Sequence, residues 1–186
     1  MSIPELSQKW RSNFGETPPH SEWLWWNHRN SGFRIHSLPK AKRYADSEDE
    51  MRIILERSNT MASHVLGDGQ DVWLISSIPS EFRAEFEMDN DTPIARHALS
   101  YWCEWKRPED EPEYQDDWTS FARKLSWSAG KFNPLLKSIA DDEDEGILWF
   151  SPTFNTVFAP YDGGVDVWVK SEEQLESLYH TYKDWI

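Results

Sequence analysis

A chain of 186 residues suits one domain, and a formal charge of -14, from 33 acidic against 19 basic residues, repels phosphate backbones and anionic headgroups. Nucleic acid and membrane surfaces are therefore disfavoured as partners, and a basic protein is favoured. Cys103 stands alone, which excludes an internal disulfide framework, and Met1 to Trp10 carry neither the basic start nor the apolar stretch of a secretory signal, so a soluble cytoplasmic protein is expected.

An N-terminal helix is predicted over Pro4 to Asn13, with Leu6 and Trp10 on one face. Gly15 to Ser21, with Pro18-Pro19, ends it. Trp23 to Asn27 reads as an aromatic strand and Gly32 to Leu38 as another, pairing as a hairpin around Arg29 to Gly32. From Ser47 the period changes: Met51, Ile54, Leu55, Ala62, Val65 and Leu66 make one helical stripe, opened by a Ser47/Glu50 capping box and closed by Gly67. A strand follows over Asp71 to Ile78.

Ser80 to Ile94 is polar and poorly periodic. Ala95 to Lys106 predicts an aromatic strand, the acidic loop Arg107 to Asp117 follows, and Trp118 to Ser128 reads as a helix. Asn133-Pro134 is expected to interrupt its continuation towards Ile139. The run Asp141 to Glu145 leads through Gly146 into a strand over Ile147 to Phe150. Val165, Val167 and Val169 then share one strand face and Asp166 and Trp168 the other, the latter expected to be a solvent or edge face. Ser171 and Gln174 form a second capping box, opening a helix with the stripe Leu175, Leu178, Tyr179, Tyr182 and Trp185. The whole reads as a single α+β domain, 1–186, with a largely antiparallel or mixed sheet, helices packed on it, and a C-terminal hairpin and helix over 147–186. Twelve tryptophans, each with an N–H needing a partner, should lie partly at the surface.

Two blocks carry a resemblance. The first is Arg34-Ile35-His36-Ser37-Leu38-Pro39, Lys42-Arg43-Tyr44, Ile54-Leu55-Glu56-Arg57 and Asn59-Thr60; the second is Pro160-Tyr161-Asp162-Gly163-Gly164-Val165-Asp166-Val167 with Tyr182-Lys183-Asp184-Trp185. The chain resembles a bacterial family with a short C-terminal domain of unknown function, of the 3885 type. Ala41 and Ser58 depart from the Ser and His of the pattern, and Gly163-Gly164 replaces the Asp-Arg-Gly turn of many relatives. The resemblance implies a soluble α/β protein and brings no activity with it. Small acidic bacterial proteins of this general kind include toxin-neutralising immunity proteins.

Candidate residues fall into two sets. Asp141, Asp142, Glu143, Asp144 and Glu145 with Trp149, joined by Glu109, Asp110 and Glu111, would form an acidic face with an aromatic anchor for a basic protein partner, as an immunity or antitoxin-like factor uses. The same run begins like a calcium loop, but its twelfth place is Pro152 where a bidentate Glu is required. The alternative is an enzyme or anionic-ligand site of His36, Lys42, Arg43, Asp162 and Asp166, which requires the two blocks to meet in space. Asp162 and Asp166 could share a divalent ion or work as an acid/base pair, or could stabilise a turn and a strand. No phosphate loop, nucleophile elbow or His-rich metal spacing occurs, so no catalytic residue, metal or cofactor is assigned. Cys103 is expected to be a buried, inert thiol.

Overall fold

Period-two alternation puts two apolar sets on opposite faces of one antiparallel sheet. The computed structural model describes residues 1–106 and 117–186. Its strands are β1 (Gly32–His36), β2 (Asp71–Pro79), β3 (Ser100–Lys106), β4 (Asp117–Ser126), β5 (Ile147–Ser151), β6 (Thr156–Tyr161) and β7 (Gly164–Trp168). They are ordered β1-β7-β6-β5-β2-β4-β3, and each adjacent pair is antiparallel. The helices are α1 (Ile3–Phe14), α2 (Ser21–His28), α3 (Glu48–Leu66), α4 (Arg83–Met88), α5 (Asn133–Ala140) and α6 (Glu172–Thr181).

One sheet face packs Leu74, Trp149, Phe158, Val165 and Val167 against α3, α5 and α6. The other packs Trp73, Ile75, Phe150, Val157 and Trp168 against α1 and Leu24 of α2. Burial on both sides explains why β5 and β7 are buried along their whole length. The Ser171 capping box forms as the sequence predicts, Ser171 Oγ accepting from the Gln174 amide at 3.2 Å and Gln174 Oε1 from the Ser171 amide, whereas at Ser47 only half of the box forms: Ser47 Oγ accepts from the Glu50 amide, but the Glu50 carboxylate accepts from the Asp46 amide instead. Each cap removes an orphan donor at a helix start and contributes about 1 kcal/mol.

Several elements differ from expectation. The segment Trp23 to Asn27 is helical within α2, so no hairpin forms around Arg29; β1 pairs instead with the distant β7, from Gly32↔Trp168 to His36↔Gly164. This helix has aromatics on all sides and buries only Leu24, so no apolar stripe announced it. The predicted helix Trp118 to Ser128 is strand β4, which pairs with β2 from Asp71↔Ser126 to Pro79↔Trp118. Two partner strands outweigh weak local preference there. Asn133-Pro134 opens α5 rather than interrupting a helix, because proline at the first turn gives up only an N–H that would be orphaned anyway. The aromatic strand begins at Ser100, and Ser80 to Ile94 contains the short α4. Tyr179 is half-exposed, and Trp185 lies in a separate turn beyond α6. Of the expected acidic loop, residues 107–116 lie outside the described residues, and with them Glu109, Asp110 and Glu111. No helix among the described residues is long and apolar enough to cross a membrane.

Candidate functional site

Antiparallel pairing of β1 with β7 brings the two resembling blocks together, with Arg34 directly opposite Asp166. Both side chains leave the face that α2 covers. Asp166 is 2% exposed and accepts from Arg34 Nε at 2.6 Å, from Arg34 Nη2 at 2.7 Å and from the Trp25 indole N–H. The Arg34 guanidinium lies 4.8 Å from the Trp25 ring centroid and 5.0 Å from that of Tyr161. Burial pushes the Asp166 carboxyl above its ordinary range, against the pull of these bonds, while Arg34 is held above its own by its bond to Asp166. Asp166 is thus a buried ion-pair partner and not a solvent-facing strand residue, as expected from alternation alone.

The turn before β7 carries a second pair. Asp162, 5% exposed, accepts from Arg43 Nε, from Arg43 Nη2 at 2.8 Å and from the Tyr44 hydroxyl at 2.7 Å. Burial alone would raise its carboxyl, but the bonds from Arg43 and Tyr44 hold it below the ordinary range. Gly164 is required beside it: a Cβ there would sit well inside contact with the Ile35 carbonyl oxygen and 2.8 Å from Tyr161 Oη. At Gly163 a Cβ would meet only the Tyr161 ring edge at 3.0 Å and the Arg43 stem at 3.3 Å.

A third arginine joins α3 to both blocks. Arg57 Nη1 donates to the His36 carbonyl at 2.8 Å, and its guanidinium lies 5.1 Å from the Trp185 centroid. Burial pulls its pKa below the usual arginine range. Two α3 turns further on, His64 Nδ1 shares a hydrogen bond of 2.8 Å with the Tyr182 hydroxyl.

The five residues of the ligand reading are therefore brought to one region, where the charged ones are paired within the chain. Arg43 binds Asp162 and Asp166 binds Arg34. Lys42 turns away to Glu50 and Asp46 at 2.5 and 2.8 Å, and the His36 carbonyl accepts from Arg57. Among the described residues, no group of three or more His, Cys, Asp or Glu could hold a metal ion. Sequence reasoning did not place Trp25 in any site, and it carried Arg57 and Tyr161 only as parts of the two resembling blocks; their roles appear through contacts between distant parts of the chain.

The acidic run follows α5 as a turn on the opposite face of the sheet. Asp141 pairs with Lys137, and Ser138 Oγ donates to Asp144 Oδ2 at 2.6 Å. Burial raises the Asp144 carboxyl above its usual value. Asp142, Glu143 and Glu145 are exposed. Gly146 closes the turn with φ 66, where a side chain would collide with the Ser77 carbonyl of β2; its place after the acids serves that close approach rather than a calcium loop. Trp149 cannot anchor a partner, since it is 0% exposed among Trp127, Phe132 and Phe158. Beside the turn, α3 and α5 enclose an open groove of about 650 Å³ with Ala45, Met51 and Leu55 in its floor and Glu48, Glu56 and Asp141 on its rim. Cys103 is half-buried, and burial pushes its thiol up to about 11.

No curated protein and no solved structure matches the chain. The family model described as Domain of unknown function (DUF3885) matches residues 20–186, from α2 to the end of the sequence and so including every element of the seam just described, and the chain belongs to that family.

Proposed function

We propose that the protein is a binding protein whose α3/α5 face and acidic turn dock a basic protein partner, as an immunity or antitoxin-like factor would. The supporting observation is how the charges are distributed. Arg34, Arg43, Lys42, Arg52, Arg83, Lys124 and Lys137 are all paired with carboxylates of the same chain. Glu48, Glu56, Asp142, Glu143 and Glu145 are exposed and have no cation within 4 Å among the described residues. Glu48 and Glu56 line a groove with an apolar floor, whose own cations Arg52 and Lys137 are already paired with Asp49 and Asp141, and a basic amphipathic segment matches that combination.

The ligand reading has less support, because the seam's charges already satisfy one another. The test compares two neutralised variants of equal charge change: E48Q/E56Q/E143Q on the proposed face, and E172Q/E173Q/E176Q on α6. Capture of basic proteins at low salt should fall for the first and persist for the second. Equal loss in both, or in neither, refutes a localised face.

A further inference from the structure

With Trp149 buried, the acidic turn has no aromatic anchor of its own. A cavity of about 270 Å³ lies between α4 and the segment leading into β3. Phe86, Ile94, Leu99 and Phe121 give it apolar walls, and the first three belong to the core that also packs α3 and α5, so it sits on the same side of the sheet as the α3/α5 groove. At that volume it is below the range of about 300 Å³ and upwards usual for cofactor and drug-sized ligands, and it suits one large apolar side chain. Its surroundings are apolar and negative together. Met88, standing between the lining residues Glu87 and Asp89, is 71% exposed, and Phe82, just before α4, is 48% exposed. Residues 80–98 carry five acids against Arg83 and Arg96, and Arg83 is already bonded to Glu87 and Glu104. Asp89 accepts from the amides of Asp91 and Thr92, and Asp144 from Ser138 Oγ, but neither has a cation within 4 Å among the described residues. After burial, the charges of Glu143 and Asp89 also push the Asp144 carboxyl up, which sets the cavity's Asp89 close to the acidic turn.

We propose that this cavity is the anchor point of the docking face: it takes one large apolar side chain of the basic partner, while a lysine or arginine beside that residue meets Asp89 and Asp144. Burial of the anchor supplies affinity and the carboxylates supply steering and register, the usual division of work at an interface. The exposed Met88 adds apolar surface that can adapt to the residue that enters. The inference rests on the acidic turn being part of the docking face, and it adds the residue that the partner must carry.

The test uses the full chain with carbon-13 in its methionine and isoleucine methyl groups. Ile94 reports the cavity, Met88 its rim, Met51 the α3/α5 groove, and the fully buried Met61 the fold. The probes are acetyl-Lys-Lys-Leu-Lys-Lys-amide, the same peptide with serine for leucine, and the same peptide with glutamate for each lysine. The Ile94 and Met88 signals should move saturably with the leucine peptide, at least about tenfold more weakly with the serine peptide, and not with the acidic one. Ala98→Trp, at an exposed position on the cavity wall, should reduce the leucine peptide to the level of the serine peptide while the Met61 signal stays fixed. Asp144→Asn, which keeps an acceptor for Ser138, should weaken binding about two- to fivefold. Static Ile94 and Met88 signals, equal affinity for the leucine and serine peptides, unchanged affinity in either variant, or equal movement with the acidic peptide each overturn the proposal. Movement of Met51 with Ile94 and Met88 static would refute the anchor and leave the groove reading intact. Movement of Ile94 and Met88 without Met51, with capture indifferent to E48Q/E56Q/E143Q, would support the anchor and refute the groove.

Discussion

Replacing Arg34 by Met keeps most of the aliphatic stem between Trp25 and Tyr161 but leaves the Asp166 carboxylate with the Trp25 N–H alone. Since Asp166 is 2% exposed, water cannot restore the two lost bonds. Removing one partner of a buried pair costs about 3–5 kcal/mol. The reciprocal change, D166N, strands Arg34, but that side chain is 47% exposed and can hydrate, so its cost should be nearer about 1–2 kcal/mol. The two changes are therefore unequal in a direction set by exposure. The double variant should cost less than the sum of the singles, because the stranded charge is gone. The pH dependence carries a second signature. A carboxyl whose folded pKa is raised supplies stability below its unfolded pKa that is lost as pH rises through the folded value. Loss of Arg34 raises Asp166 further, so the R34M deficit should be largest near neutrality and shrink towards acid. Urea unfolding at several pH values, with the slope checked for constancy, measures all of this. Equal single-variant costs, or an R34M deficit independent of pH, would refute the assignment of Asp166 as a buried charge that depends on Arg34.

Asp162 should behave with the opposite sign. Its folded pKa is lowered, so its stability contribution is present above the ordinary carboxylate range and disappears as pH falls through the lowered value; D162N should flatten the acid limb of the wild-type stability profile. Gly164→Ala should cost at least the upper part of about 1–3 kcal/mol, whereas Gly163→Ala should stay within about 1 kcal/mol; comparable losses in thermal unfolding would contradict the turn geometry. With its thiol near 11, Cys103 at pH 8 is thiolate in only about one molecule in a thousand, so a disulfide reagent should label it slowly in the native protein and rapidly in denaturant.

What could be read before folding depended on whether a residue's environment is local. The α3 stripe, its Ser47 cap and its Gly67 stop are set within one turn of helix, and they appear as the spacing predicts. The alternation in β7 and the Ser171 cap are equally local. α2 and β4 were misassigned because their conformations are set from a distance. The indole of Trp25 is fixed by Asp166, 141 residues away, and β4 by the two strands that flank it. The same distinction holds at the candidate sites. That Asp141 to Glu145 form a turn could be read locally, but the burial of Trp149 four residues later could not, since it is decided by Trp127, Phe132 and Phe158.

The residues that carry the family resemblance are largely spent inside the molecule. Arg34 ties β1 to β7 through Asp166, Arg43 ties the loop after β1 to the β6/β7 turn through Asp162, and Arg57 ties α3 to the end of β1 and to Trp185. Each contact joins parts of the chain that no short-range pattern connects. An arginine gives such a junction direction as well as charge, because its planar fork meets a carboxylate or carbonyl at fixed angles. A motif used this way specifies the assembly of β1, α3 and the C-terminal segment and leaves few of its charges for a ligand.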